Sequence, residues 1–156
     1  MSIALSVEHY LSEHHIPYDV MLHKLAPHAM ATAQAAHIPG DDLVKAVVCR
    51  ESDGYVLALM PSTHRLDLES LSRVTGQAIE IAEEDEMADL FGDCDVGAVP
   101  ATGEAYGLRV VWDDELAHRS HLYFEGGDHR TLVGLDREDF VEMMGYAPHA
   151  PISRHI

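Results

Sequence analysis

A lysine inside an apolar run is the first feature of this chain that could do chemistry. Lys45 lies among leucine, valine and alanine in residues 43–48, where a buried strand would be apolar. Its ammonium group can bind a phosphate or a carboxylate as a point charge. Side chains alternate between the two faces of a strand, so the lysine can equally be an outward-facing surface residue, and periodicity alone favours that simpler interpretation.

A loop of small residues, 95–107, could present backbone donors to the same ligand. It contains three glycines, which adopt dihedral angles closed to other residues, and a proline that fixes one dihedral. Backbone N–H groups in such a loop can bind a carbonyl or a developing oxyanion. The spacing matches neither a P-loop nor a dinucleotide-binding fingerprint, so a plain connection is the alternative. The candidate residues are Gly97, Ala98, Val99 and Pro100 for catalysis and Gly103 for substrate binding.

A second glycine turn, residues 124–130, carries a histidine. Near a pocket, His129 can shape the floor, donate a hydrogen bond or shuttle a proton, although a histidine beside a turn is most often a surface residue. Glu125 and Asp128 are close enough in sequence to orient it, and Asp128 is better explained as a turn residue. The candidate substrate-binding residues here are Gly127, Asp128 and His129.

Other catalytic arrangements have little support in the sequence. No G-x-S-x-G nucleophile elbow is present. Cys49 lies in an apolar strand, and Cys94 stands between two aspartates whose charges oppose thiolate formation. The 12 histidines form no HExxH motif and accompany no cysteine pair, so they do not make a metal motif. We therefore expect no side-chain nucleophile, no metal and no cofactor.

The composition is that of one globular domain spanning residues 1–156. Hydrophobic residues make up 47% of the chain, yet no run approaches the roughly 20 apolar residues of a membrane span. The N-terminus lacks the basic region of a secretory signal, and two cysteines without CxxC spacing favour a cytoplasmic protein with free thiols. A net charge of −17 excludes a broad phosphate-tracking surface, but not a small site that grips one strand end.

The elements that must position these residues follow from periodicity and turn signals. Asp67 and Asp136 are predicted helix N-caps, Gly76 a helix end, and the tail after Gly145 an irregular surface segment. Strands and helices are mixed without strict βαβ alternation, which favours an α+β fold with a mixed sheet. Helices are predicted over residues 2–14, 29–37, 68–74, 83–91 and 137–144, and strands over 18–22, 45–50, 55–60, 79–82, 108–112, 122–124 and 131–135.

Taken in order, the apolar run with Lys45, the glycine loop and the second glycine turn resemble the YbaK/prolyl-tRNA-synthetase-associated domain family. This family comprises free-standing aminoacyl-tRNA deacylases and the editing domain of bacterial prolyl-tRNA synthetases. The resemblance covers roughly residues 5–144. Many members follow the Val-Pro pair with a second proline and an aromatic residue, whereas this chain has Ala101 and Thr102, so the identity of the substrate amino acid does not carry over. The matching motifs are LVKAVV at 43–48, GAVP at 97–100 and GGDHRTL at 126–132, with further similarity at 31–36 and 136–140.

The resemblance implies a mostly antiparallel, barrel-like sheet surrounded by helices, and it implies hydrolysis in trans of the ester between an amino acid and the terminal ribose of tRNA. In that family, loop N–H groups hold the substrate carbonyl and a ribose hydroxyl of the substrate helps to activate water or to attack. By this resemblance Lys45 binds the terminal phosphate or orients the ester, residues 97–100 present the donors, and His129 lines the amino-acid pocket. The implied partners are the 3′ acceptor end of an aminoacyl-tRNA and an aminoacyl-tRNA synthetase, with no membrane.

Two other functions remain open from the residues alone. The acidic surface gives weight to a non-catalytic module that binds an aminoacyl or nucleotide ligand as a partner of a synthetase. The same donors would also serve a hydrolase of another small ester or amide without tRNA.

Overall fold

The computed structural model describes residues 3–26 and 28–156. Short 3₁₀ helices cover Gly40–Asp42, Gly103–Tyr106 and Asp114–His118. The α-helices are α1 (Leu5–Glu13), α2 (Ala29–Ala35), α3 (Leu68–Thr75), α4 (Glu84–Leu90) and α5 (Arg137–Met144). The strands are β1 (Asp19–Leu22), β2 (Val44–Glu51), β3 (Gly54–Pro61), β4 (His64–Leu66), β5 (Glu80–Ile81), β6 (Arg109–Asp113), β7 (His121–Glu125), β8 (Thr131–Asp136), β9 (His149–Ala150) and β10 (Ser153–His155).

Three sheets form the framework, and they confirm the predicted α+β fold. The largest has the order β5-β2-β3-β6-β9 and is mixed, because β3 and β9 lie parallel to β6 while β5, β2 and β3 are antiparallel. The second sheet is antiparallel and has the order β1-β8-β7, and the third is a two-stranded ribbon of β4 and β10. A single bridge between Leu43 and Tyr123 joins the two larger sheets, so the barrel is not closed.

The two faces of β2 contribute to different parts of the core. Val44 and Val48 pack in the main core with α1, β7 and α5, whereas Cys49 packs in a smaller cluster on the other face with α3 and Ile152. This alternation follows from the period of two along a strand. Lys45 therefore occupies a position on the face of Cys49 and not on that of Val44.

The predicted caps have different outcomes. The Asp67 side chain accepts hydrogen bonds from Glu69 and Ser70 at the start of α3, and Gly76 ends that helix with φ of 73°. Both are as predicted. Asp136 precedes α5, but its side chain makes no capping hydrogen bond and lies 3.0 Å from His121 Nδ1 instead. The first residue of the predicted N-terminal helix, Ser2, lies outside the described residues.

The prediction of an irregular C-terminal tail is wrong. β9 extends the large sheet beside β6, and β10 pairs antiparallel with β4, a strand that the pattern also missed. The reason is that strands of two or three residues carry too little alternation to be distinguished from loops. The buried Ile152 anchors the tail, since its N–H donates to the Asp113 carboxylate at 3.0 Å. Among the described residues, no helix combines the length and apolar character of a membrane span.

Candidate functional site

One cleft of about 240 Å³ brings together residues from all three stretches that the sequence singled out. It lies between α2, the start of β2, the glycine loop and the end of β7. Such a volume suits a small ligand such as an aminoacyl group. The cleft is lined by His28, Ala29, Thr32, Leu43, Val44, Lys45, Ala46, Gly97, Val99, Glu125 and His129.

Lys45 is half-buried and is one of the residues that line the cleft, but its ammonium group donates to the backbone carbonyl of His64 in β4, which does not line the cleft. Burial, and then the positive charge of Arg65, lower the pKa of Lys45. An ammonium group has three donors, so the bond to His64 leaves two for a ligand. The simpler expectation of a lysine pointing into bulk water does not describe this side chain.

The glycine loop begins with a tight turn that fixes which N–H groups are free. The N–H of Ala98 donates to the carbonyl of Asp95 at 3.0 Å, and Gly97 has φ of 84°, the left-handed conformation that a type II turn requires there. Pro100 has no N–H. Within the described residues, the N–H groups of Gly97 and Val99 make no hydrogen bond to the protein. Of the predicted donors, these two remain available.

His129 joins the late turn to the glycine loop. Its Nε2 lies 2.6 Å from the carbonyl oxygen of Val96, so this nitrogen must donate, and in the neutral ring Nδ1 is then an acceptor. The N–H of Asp95 adds a second link at 2.7 Å to the carbonyl of Gly127. The histidine adopts φ of 60°. The bond to Val96 holds the histidine ring beside Gly97, and the bond between Asp95 and Gly127 joins the backbones of the two turns.

Three of the predicted substrate-binding residues lie elsewhere. Asp128 uses its carboxylate within its own turn, accepting from the N–H groups of Arg130 and Thr131 at 2.9 and 2.7 Å. The α-carbon of Gly127, at φ of 125°, faces Cys94 and Ala4. Gly103 lines a separate cavity of about 280 Å³, which Tyr10 and Glu104 also line. The structure therefore does not bring these three residues to the cleft.

Glu125 is the cleft residue whose importance the sequence did not show. Its carboxylate oxygens are buried and make no hydrogen bond of normal geometry within the described part of the chain, and His23 Nε2 lies 3.6 Å from Oε1. Burial raises the pKa of Glu125, while His129 and His23 oppose that effect. The sequence placed Glu125 only as a neighbour of His129. Its burial depends on His23, which follows β1 and is distant in the chain.

The cysteines offer no nucleophile. Burial raises the pKa of Cys49 to about 12, and burial together with Asp93 and Asp95 raises that of Cys94 to about 12. Neither thiol lines the cleft. Residues 3–26 and 28–156 contain no group of three or more histidine, cysteine or carboxylate side chains placed to hold a metal ion.

The ribbon of β4 and β10 carries two arginines, although two carboxylates, Asp67 and Glu69, line the groove beside it. Arg65 is directly opposite Arg154 in this ribbon, and His64 is opposite His155. The ribbon borders a groove of about 560 Å³. Because Lys45 bonds to His64, it connects the groove side of the molecule with the cleft. Arg154 is paired with Asp67 at 3.2 Å, whereas Arg65 has no ion pair among the described residues.

Comparison with known proteins gives a consistent result. The curated proline–tRNA ligase of Thermosipho africanus (strain TCF52B) is 30% identical over 110 residues, which are 68% of this chain and 19% of that protein. The chain thus spans about a fifth of that relative. A solved structure described as a candidate trans-editing enzyme for prolyl tRNA synthetase has a TM-score of 0.79 at 24% identity, covering 96% of this chain and 95% of the other.

Another solved structure, of a protein described as hypothetical, has a TM-score of 0.84 at 22% identity and covers 96% of this chain and 99% of its own. At these identities the structural matches show a shared fold. The family model described as the aminoacyl-tRNA editing domain matches residues 23–143, which include β2, the glycine loop and the late turn. These findings confirm the resemblance inferred from the motifs, and the chain belongs to the aminoacyl-tRNA editing domain family.

Proposed function

We propose that this protein is a deacylase that hydrolyses the ester of mischarged aminoacyl-tRNA in trans. The observation that carries the proposal is the shared cleft: Lys45, Gly97, Val99 and His129 all line it, the N–H groups of Gly97 and Val99 make no hydrogen bond within the described residues, and neither thiol lines it. Membership of the editing domain family supports the choice of an aminoacyl ester as substrate.

The proposed chemistry relies on donors and positioning. The N–H groups of Gly97 and Val99 bind the ester carbonyl oxygen and stabilise the negative charge that develops on it. A ribose hydroxyl of the substrate assists a water molecule, which adds to the carbonyl carbon. The bond between that carbon and the ribose oxygen then breaks, and the ribose oxygen takes up the proton that the attacking water molecule released. An aminoacyl ester is already activated, so holding it in place supplies a large part of the rate enhancement.

Lys45 is proposed to bind the phosphate of the terminal nucleotide. Its two remaining donors and its charge suit a phosphate oxygen, and the bond to His64 holds the ammonium group at the border between cleft and ribbon. The net charge of −17 repels nucleic acid, so a local cation is needed where the end of a nucleic acid strand contacts the protein. Only the acceptor end then has to contact the protein.

His129 is proposed to set the size of the amino-acid pocket. The hydrogen bond to Val96 fixes the ring, and a rigid wall is what a pocket needs to exclude the larger of two similar side chains. One methylene is worth only about 1–3 kcal/mol in a pocket, which is why cells separate synthesis from editing. We also propose that a synthetase delivers the substrate, because the acidic surface captures tRNA poorly on its own.

A deacylation assay separates this function from its competitors. The protein is incubated with a panel of mischarged tRNAs and, in parallel, with free amino-acid esters. Turnover of tRNA esters alone supports the proposal. Turnover of both indicates a general small-ester hydrolase, and binding without turnover of either indicates a non-catalytic module.

A further inference from the structure

The wall of the cleft contains a buried carboxylate that makes no hydrogen bond of normal geometry among the described residues, although the backbone N–H of His129 lies close enough to lower its pKa. Glu125 is 14% exposed and the side chain of His23 is fully buried, with 3.6 Å between Oε1 and Nε2. That separation is too long for a hydrogen bond. Both oxygens of Glu125 and Nε2 of His23 therefore have no hydrogen-bond partner among the described residues. A buried polar group without a partner is costly, so this pair is better suited to a bound ligand than to the empty cleft.

The hydrogen bonds of His23 show why it does not satisfy the carboxylate. Its Nδ1 lies 2.6 Å from the carbonyl oxygen of Lys24, so Nδ1 carries the proton. In the neutral ring, Nε2 is then an acceptor and faces another acceptor, Oε1 of Glu125. In its neutral form His23 therefore donates no hydrogen bond to this carboxylate.

The ligand that meets both needs is a compact cation with several donors. An ammonium group supplies three donors and a positive charge, which a carboxylate binds more strongly than a neutral donor. Lys45 does not fill this role, because its ammonium group is directed to His64. An aminoacyl ester carries such a group on its α-carbon, two bonds from the carbonyl carbon and close to where the N–H groups of Gly97 and Val99 would hold the carbonyl oxygen.

We propose that Glu125 binds the α-ammonium group of the aminoacyl ester, so that the cleft selects esters with a free amino group. This inference rests on the proposed deacylase function. It makes Glu125 a substrate-binding residue. It also explains how one small cleft can position the ester at two points, the carbonyl oxygen and the amino nitrogen.

The test compares two esters of the same tRNA. One is the aminoacyl-tRNA that the panel identifies as the best substrate, and the other is its α-hydroxyacyl form, in which a hydroxyl group replaces the ammonium without added bulk. Each rate is corrected for uncatalysed hydrolysis. We expect the wild-type protein to prefer the aminoacyl ester by roughly 10- to 100-fold in kcat/KM, the range for a hydrogen bond to a charged group.

Glu125→Gln keeps the size of the side chain and removes its charge. We expect this variant to lose most of the preference, because hydrolysis of the aminoacyl ester falls while that of the hydroxyacyl ester changes little. Glu104→Gln is the matched control, since Glu104 lines the other cavity, and it should retain the wild-type preference. Circular dichroism of each variant checks the fold.

Two results would overturn the inference. One is an equal corrected rate for both esters with the wild-type protein, which needs no variant and so does not depend on whether Glu125→Gln folds. The other is an unchanged preference in a folded Glu125→Gln. In both cases the esters are hydrolysed and the deacylase function stands. If the wild-type protein hydrolyses neither ester, the proposed function itself fails.

Discussion

The cleft and the β4–β10 ribbon are neighbouring regions with opposite character. The cleft, about 240 Å³, contains backbone donors, a histidine and a buried carboxylate, whereas the ribbon presents Arg65 and Arg154 beside a groove of about 560 Å³. Polarising an ester requires fixed donors in an enclosed site. Attracting a polyanion to a chain of net charge −17 requires exposed cations. Under the proposed function, the cleft would perform the chemistry and the ribbon would contact the tRNA, with Lys45 at their border.

Removing the ammonium group at the border is expected to have the largest effect. Lys45→Ala should lower kcat/KM for aminoacyl-tRNA by about 100-fold, since a hydrogen bond to a charged group contributes about 1.5–3 kcal/mol. Its stability should change little, because burial already disfavours the charged form of this lysine. Single-turnover deacylation measures the loss. Lys24→Ala, the other lysine of the chain and an exposed one, is the control. Full activity of Lys45→Ala would remove the link between the two regions.

Distorting the turn of the glycine loop tests the cleft alone. Gly97→Ala puts a side chain at φ of 84°, which costs about 1–2 kcal/mol and shifts the peptide that His129 holds. The new β-carbon would be 3.5 Å from the histidine ring, an ordinary contact, so the effect comes from the backbone. We expect a loss of about tenfold in kcat. Gly92→Ala, with open space around it, should be unaffected. Equal losses in both variants would contradict a specific role for the turn.

A change at His129 should alter selectivity more than rate. His129→Asn is smaller and tolerates the left-handed backbone at this position. We expect the variant to accept side chains about one methylene larger, with a change of discrimination of about 1–3 kcal/mol between neighbouring amino acids. The mischarged-tRNA panel measures this profile. An unchanged profile would mean that the ring supports the glycine loop and does not limit the pocket.

The sequence predicted most of this arrangement, because local signals were strong where they mattered. The turn at Asp53 and Gly54 fixed the β2–β3 hairpin, and with it the position of Lys45 opposite Met60. Gly97 and His129 were predicted to share a pocket from the order of the motifs, and both line the cleft.

The residues that the sequence misplaced share local signals with those it placed correctly. Gly103 belongs to the same loop as Gly97, but its α-carbon packs against Val110, a contact that loop composition does not encode. Asp128 and Glu125 are both acids of one turn. The first binds its own backbone, and the second becomes buried only because β1 pairs with β8 and brings His23 beside it. Such roles depend on tertiary packing, which no local pattern contains.

The raised pKa of Glu125 gives a smaller effect that is measurable without a substrate. A carboxyl group whose pKa is higher in the folded than in the unfolded state binds more protons when folded, so stability falls as pH rises above about 4.5. His23, His129 and Asp128 are the charged neighbours that modulate this effect. The Glu125→Gln variant lacks this titratable group and therefore lacks the decrease in stability with rising pH. From pH 4 to 7 the variant should gain stability relative to the wild type in urea unfolding, and a constant difference would contradict the raised pKa.

The smallest expected effect is the one that tests the ribbon. Arg65 is exposed and has no ion pair in the described part of the chain, so its replacement by alanine should not disturb the fold. Losing one phosphate contact should raise KM for aminoacyl-tRNA about threefold at low salt, leave kcat unchanged, and reduce the dependence of kcat/KM on salt by about 0.7 in the log–log slope. Arg73→Ala on α3, where the arginine is paired with Glu69, is the matched control. If both variants behave alike, the acceptor end is held by Lys45 and the cleft, and the ribbon has no part in capturing tRNA.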